Sequence, residues 1–286
     1  MFNILEKRSL NDSMTLMRVQ APFIARKAQA GQFVILRVCE HGERIPLTIA
    51  DFDREAGWIA IIFQLVGKTT LLLNQLEEGD AILDLVGPLG KASELEGVKK
   101  AAVIGGGAGC AIAYPQAKAL HGMGASVDMI AGFRNKDLVI LDKEMAAVSD
   151  RIFIMTDDGS NGHKGFVTDA LRSCIEEGAQ YDLVIAIGPL PMMKAVCDLT
   201  KPYGIRTVIS MNSLMIDGTG MCGCCRVTVG GKVKFACVDG PDFDGHQVDF
   251  DEAMKRSRIY ADEEGKAREE EKRHICNLTG EVRGNG

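Results

Sequence analysis

No run in this 286-residue chain is long or apolar enough to span a bilayer, which argues against a membrane-embedded function. The opening residues MFNILEKRSLND lack the apolar stretch of a secretory signal, so a cytoplasmic location is expected. Positive charge is in short supply: 33 Lys and Arg against 39 Asp and Glu give a formal net charge of −6. No basic stripe compensates for this, which argues against nucleic acid as the main partner. There is no internal repeat and no low-complexity segment. The nine cysteines do not resemble a secreted disulfide framework, because their number is odd and their spacing uneven. They suit a reducing compartment.

The hydrophobic pattern divides the chain into four parts. Residues 1–97 hold short runs rich in β-branched residues, QFVILRV, WIAIIFQLV and DAILDLVGPLG, bounded by Gly, Asp or Pro. They predict a small antiparallel barrel, with a helix at Thr70–Leu76. Residues 98–212 alternate core strands (AAVIGGG, SVDMIAG, RIFIMTDDG, YDLVIAIGP, RTVISMN) with helical stretches. That rhythm predicts a doubly wound parallel sheet, so the fold class is a β barrel followed by an α/β domain. Residues 213–250 form a cysteine-bearing module, in which CRVTVGGKVKFAC reads as a hairpin turning at Gly230–Gly231. Residues 251–286 form a highly charged tail. It reads as a solvated helix or, more sharply, as a helix that docks on a partner.

Cys39, Cys110, Cys174 and Cys197 are scattered singly and read as reduced, mostly buried thiols. Cys222, Cys224, Cys225 and Cys237 are clustered. A zinc ribbon offers two C-x2-C knuckles separated by a longer loop; here one tight group is followed by a single distant cysteine. Plant-type [2Fe–2S] proteins use C-x4-C-x2-C and a later cysteine. Counting back from Cys225, the x2 step reaches Cys222 and the x4 step reaches Asp217, giving D-x4-C-x2-C-x11-C. The expected ligands are Asp217, Cys222, Cys225 and Cys237 around a [2Fe–2S] cluster, with Cys224 left over. Two alternatives stay open: Asp217 as a turn residue with Cys224 as the fourth ligand, or a zinc site.

VIGGGAGCAIAYP follows a strand and opens a helix, but Cys110 stands where the strict dinucleotide fingerprint needs glycine. Gly105, Gly106, Gly107, Ala108 and Gly109 can still bring backbone amides to a pyrophosphate. Gly188 and Pro189 end a later strand, where open α/β sheets bind ligands. Asp157, in the loop MTDDGSNGHKG, is a further candidate contact, although a plain connection serves as well. In the barrel half, Arg44 and Thr48 of RIPLTI offer a cation and a hydroxyl. Gly67, Thr69 and Thr70 precede an apparent helix start, without Walker A spacing.

These parts, in this order, resemble the ferredoxin-reductase superfamily, and within it the electron-transfer subunit branch. ERIPLTI, GGGAGCAIAYPQAKAL, GFRNKDLVILDKEM, DGTGMCGCCRVTV and FACVDGPDFDGHQVDF carry the resemblance across essentially the whole chain. They look most like the small subunits of electron-bifurcating NADH-dependent ferredoxin:NADP oxidoreductases. Asp217 is the discriminating mark, since the dihydroorotate dehydrogenase branch carries Cys there. The resemblance implies FAD near Pro46, Leu47 and Thr48, with Gly67 and Thr70 close to its phosphates or ring. It implies NAD(H) at Gly105–Gly109 and Gly188–Pro189, and one-electron relay through the cluster to a larger flavin and iron–sulfur subunit. Ferredoxin and NADP(H) would be reached through that partner. The alternative partners are a dihydroorotate dehydrogenase or a sulfide/polysulfide reductase. Hydride transfer to a flavin needs no acid–base pair, so no general acid or base is nominated. Arg44 lies one position before the family's arginine, and Thr69 stands where glycine is usual. Arg134 and Lys136 in GFRNKD could attract a 2′-phosphate, but the resemblance favours NAD(H).

Overall fold

The computed structural model describes residues 1–279; the last part of the charged tail, 280–286, lies outside the described residues. The first part is a seven-stranded antiparallel barrel, nearly closed. Its strands are β1 (Phe2–Asn11), β2 (Met14–Gln20), β3 (Phe33–Arg37), β4 (Arg44–Asp53), β5 (Trp58–Gln64), β6 (Ala81–Ile82) and β7 (Asp84–Leu89). They are ordered β6-β1-β2-β5-β4-β3-β7. The apolar runs read from the sequence supply the interior: Val34 and Leu36 from β3, Ile49 from β4, and Ile59, Ile61 and Phe63 from β5 are buried together. Burial of such side chains stabilises by about 1.5–3 kcal/mol each.

β4 changes partner along its length. Its first half, Arg44–Thr48, pairs with β3. Its register with β5 begins only at Ile49, so the edge of residues 44–48 facing away from β3 is not taken up by β5. The predicted helix at Thr70–Leu76 runs instead over Lys68–Leu73. Thr70 sets the earlier start: its Oγ1 accepts from the Gly67 N–H at 3.1 Å and donates to the Gly67 carbonyl at 2.9 Å. Asn74 stops it early, engaged by Thr15 Oγ1 at 2.7 Å and by Lys7 Nζ at 2.7 Å.

The second sheet contains β8 (Lys100–Gly106), β9 (Ser126–Phe133), β10 (Arg151–Thr156), β11 (Leu183–Ile187) and β12 (Thr207–Ser210), all parallel. With β15, described below, the order is β10-β9-β8-β11-β12-β15. The chain runs outward from β8 in one direction and from β11 in the other, so the crevice between these two strands is the switch point of the fold. The strands are mostly apolar because helices such as Gly109–Gly122 and Leu190–Thr200 cover the sheet.

The cysteine segment then forms the hairpin β13 (Arg226–Val229) and β14 (Lys232–Phe235). It next sends β15 (Asp242–Asp244) back onto the parallel sheet, antiparallel to β12, with Phe243 opposite Ile209. The helix Phe250–Arg256 closes the module, where Arg256 Nη2 donates to the Cys224 carbonyl at 3.2 Å. The tail forms the helix Ala261–Thr279 and lies against Lys68–Leu73 of the barrel. Lys118 and Asp51 (2.7 Å) and Arg8 and Glu144 (2.9 Å) bridge barrel and α/β domain. Such part-exposed pairs are worth little individually. Among the described residues, no helix is long and apolar enough to cross a membrane.

Candidate flavin, dinucleotide and cluster sites

The flavin candidates gather on β4 and the loop after β5. Pro46, Leu47 and Thr48 are half-buried on the stretch of β4 that β5 leaves unpaired, so a planar ring has a backbone edge to lie against. That is the observation that fits a flavin here. Arg44 is the first residue of β4 and exposed. Its Nε donates to the carbonyl of Ile216, at 3.1 Å, so the cation offered as a cofactor contact touches the cysteine module. Thr69 is buried and its hydroxyl donates to Glu43 Oε2 at 3.0 Å. With Thr70 bonded to Gly67, both threonine hydroxyls serve the local fold.

The dinucleotide candidates meet at the switch point. Gly106 ends β8 and Gly188 follows β11; a Cβ on Gly188 would lie 3.1 Å from Gly106 Cα and 2.8 Å from Met192 Cε. The two glycines thus leave room between strand ends that any side chain would fill. Gly109 begins the helix that follows, and a Cβ there would overlap the Ile187 carbonyl and come within 2.9 Å of Gly188 Cα. Cys110 is fully buried, with its thiol pushed up to about 12 by burial. It packs on Gly105, so the departure from the dinucleotide fingerprint fills space and leaves the cradle open.

An open cavity of about 260 Å3 continues from Gly188 and Pro189, and its wall includes Asn212, Met254, Ser257 and Arg258. Asn212 was not singled out in the sequence because it follows the last parallel strand with no motif around it, and Arg258 because it sits in a uniformly charged run. Asp157 is exposed after β10, two strands away from β8. Its loop is organised by Asn161, which accepts from Thr156 Oγ1 at 2.7 Å and donates to the Ile154 carbonyl at 2.7 Å. Arg134 and Lys136 are exposed on the neighbouring loop, joined to it where the Lys136 N–H donates to Ser160 Oγ at 2.7 Å.

The cluster candidates fall into two pairs. Cys225 and Cys237 are buried, with their Sγ atoms 3.3 Å apart. Burial, with the neighbouring Cys225 sulfur, pushes the Cys237 thiol up to about 12. Two ligands on one tetrahedral metal with bonds of about 2.3 Å stand roughly 3.8 Å apart, so this pair is close to the spacing a shared iron needs. Asp217 and Cys222 form the other pair: Asp217 Oδ2 accepts from the Cys222 N–H at 2.7 Å and Oδ1 from the Thr219 N–H at 2.7 Å. These backbone donors, Thr219 first, hold the Asp217 carboxyl below the ordinary carboxylate range. Cys222 is exposed and Cys224 half-buried. Among the described residues, no three His, Cys, Asp or Glu side chains are drawn together as a metal site. What the fold brings together is the two pairs, three of whose four members lie in the glycine-rich segment 217–225, and this donor set fits an iron–sulfur cluster.

Comparison with known proteins sharpens this picture. Residues 212–249 match the family model of the iron–sulfur cluster binding domain of dihydroorotate dehydrogenase B. An uncharacterized protein of Clostridium beijerinckii is 50% identical, over 93% of each chain. A Thermotoga maritima protein described as a homolog of the dihydroorotate dehydrogenase B (NAD(+)) electron transfer subunit is 44% identical, over 91% of this chain and 92% of its own. The chain belongs to this electron-transfer subunit family. It is therefore an oxidoreductase subunit whose cofactors are FAD, an iron–sulfur cluster and NAD(H). A solved structure of an NADH-dependent reduced ferredoxin-NADP oxidoreductase, from work on flavin-based electron bifurcation, is similar along the same length. Its TM-score is 0.88 and its identity 42%, covering 94% of this chain and 96% of that one.

Proposed function

We infer that this chain is the small subunit of an electron-bifurcating transhydrogenase that couples NADH, NADP(H) and ferredoxin. In this reading it exchanges hydride between NAD(H) and FAD and relays single electrons through a [2Fe–2S] cluster. The observation that carries it is the full-length similarity to the ferredoxin-NADP oxidoreductase structure, joined to Asp217 at the first ligand position.

When bound, the flavin supplies the conversion between two-electron hydride chemistry and one-electron transfer. The chain's own residues do the rest. Pro46, Leu47 and Thr48 hold the ring along the free edge of β4, with Gly67, Thr69 and Thr70 shaping the loop beside it. Gly105, Gly106, Gly107, Ala108 and Gly109 admit the pyrophosphate at the switch point, and Gly188 and Pro189 line the cavity for the nicotinamide end. Asp157, on the loop beside Arg134, would meet the adenosine side. Asp217, Cys222, Cys225 and Cys237 would hold the cluster, which would supply one-electron transfer.

Leu214, Ile216, Met221 and Val238 are exposed apolar side chains of the cysteine module, and Met221 is 89% exposed. They support a docking face for the larger flavin and iron–sulfur subunit, through which ferredoxin and NADP(H) are reached. The free cysteines of this module, Cys222, Cys224, Cys225 and Cys237, suit a reducing compartment, which supports a cytoplasmic location.

A second reading, an electron-transfer subunit serving a dihydroorotate dehydrogenase, is favoured by the Thermotoga relative's description. The test is anaerobic reduction of the loaded chain by NADH and by NADPH, followed by visible absorption and iron content. Flavin and cluster bands that bleach with NADH support the proposal. A colourless chain, or zinc in place of iron, rejects it. Addition of the larger subunit then separates the two readings, by NADP- and ferredoxin-dependent turnover against dihydroorotate oxidation.

A further inference from the structure

We propose that Arg44 and Gly218 are positioning residues that moor the cluster loop to the flavin strand and so fix the electron path between the two cofactors; this rests on the functional reading above. The Arg44 Nε bond to the Ile216 carbonyl, at 3.1 Å, spans 172 residues of sequence. Ile216 immediately precedes Asp217, and Arg44 opens the strand that carries Pro46, Leu47 and Thr48. One side chain therefore ties the start of the flavin edge to the residue before the first expected cluster ligand.

The loop also lands on the barrel at the same place. Gly218 is buried at φ 76°. A Cβ there would stand 2.7 Å from Leu89 Cδ1 and 2.8 Å from Ile35 Cδ1. Ile35 pairs with Pro46 across β3 and β4, and Leu89 pairs with Phe33 across β3 and β7. The loop backbone thus rests directly on a side chain of β3, the strand paired with the flavin strand, and on one of β7 beyond it. Glycine alone satisfies both the left-handed φ and this close approach.

The step these residues serve moves one electron from reduced flavin to oxidised cluster, with no bond formed or broken. What the protein contributes is the separation and relative orientation of donor and acceptor, and small displacements of reacting groups have large effects on rate. A loop free to lift from β3 and β4 would vary both. The Arg44 bond closes the near end of the loop, and the Gly218 contact holds it flat.

The test uses the full chain loaded with FAD and cluster, as wild type, Arg44→Ala, Arg44→Lys and Gly218→Ala. Bound FAD and iron per chain are measured first, then the EPR spectrum of the reduced cluster. The rate of cluster reduction after photoreduction of the flavin is measured last, without nucleotide. In Arg44→Ala, FAD and iron contents are expected to stay at wild-type levels, with shifted or broadened g-values and cluster reduction slowed about tenfold. Arg44→Lys, still able to donate to a carbonyl, should recover most of that loss. Gly218→Ala should slow the step further; if it fails to hold the cluster, Arg44→Ala decides alone. An unchanged spectrum and rate in Arg44→Ala overturns the inference. So does loss of FAD with a wild-type cluster spectrum, which makes Arg44 a flavin contact. A wild-type chain that binds neither flavin nor iron overturns the functional reading and this inference together, whereas a loaded wild type with unaffected variants overturns the inference alone.

Discussion

Gln116 donates through Nε2 to Asp242 Oδ2 at 3.1 Å, joining the helix after the glycine-rich loop to the strand β15. Ser93, on the segment leaving the barrel, donates to the same oxygen at 2.6 Å. The carboxylate thus sits where barrel, α/β domain and cysteine module meet. Burial pushes the Asp242 carboxyl up to about 6, with the Ser93, Ser210 and Gln116 hydrogen bonds only partly offsetting it. Since the raised value means that the folded chain favours the proton, Asp242 costs stability as pH rises from about 4 to about 6, and the cost is constant above that. Asp242→Asn keeps the shape and removes the charge. It is expected to unfold like wild type near pH 4 and to be more stable by about 2–3 kcal/mol at pH 7–8. Denaturant unfolding of both chains across this range checks it; parallel curves would show that the charge carries no such penalty.

The cluster pairs predict an ordered set of cysteine effects. Cys225→Ser and Cys237→Ser should each abolish the [2Fe–2S] EPR signal, because their sulfurs already stand together at 3.3 Å. Cys224→Ser should leave the signal in place. Asp217→Cys should retain a cluster with displaced g-values and midpoint potential, since thiolate replaces a harder carboxylate ligand. Signal loss in Cys224→Ser with an indifferent Asp217→Cys would exchange the roles of the two residues.

Gly109→Ala tests the closeness of helix and strand. The added methyl would overlap the Ile187 carbonyl, which is backbone and has nowhere to move. A loss of about 2 kcal/mol or more is expected, read from the shift in denaturation midpoint, together with weakened NADH binding. Gly122→Ala, where a Cβ meets nothing, is the matched control and should be nearly neutral or mildly stabilising.

Arg258 stands on the wall of the cavity that opens from Gly188 and Pro189. Arg258→Ala is expected to raise KM for NADH roughly three- to tenfold, the scale of one ordinary net hydrogen bond at a solvent-open site, with a smaller change in kcat. Steady-state reduction of an artificial acceptor measures both; an unaltered KM would place the nucleotide elsewhere in the crevice.

Much of this was legible in the primary structure. The short β-branched runs of β3 and β5 and the apolar strands β8 and β11, set between turn residues or helical stretches, announce a barrel and a parallel sheet. The glycines at 105–109 and the cysteine spacing likewise declare chemistry locally. What stayed hidden were relations between distant segments. Arg44 looks like any cation beside a strand until Ile216 arrives from the far end of the chain. β15 is three residues, DFD, with too little hydrophobic content to read as a strand; the exposed edge of β12 makes it one. Thr69 and Thr70 looked free to meet a ligand because their partners, Glu43 and the Gly67 backbone, are fixed only by the fold.

That short strand has a consequence for how the protein is built. β12 would be the outer edge of the parallel sheet if the chain ended after it, with a row of backbone donors and acceptors open to any passing strand. β15 covers that edge, and it lies beyond every candidate cluster ligand in the sequence. During synthesis the nucleotide-binding half therefore remains unsealed until the cysteine loop has emerged. The sheet's last hydrogen bonds come from the same segment that carries the thiolates. A deletion meant to leave a flavoenzyme without its iron would instead leave a sticky sheet, so the cluster-bearing segment is the closing seam of the nucleotide domain and not an accessory to it.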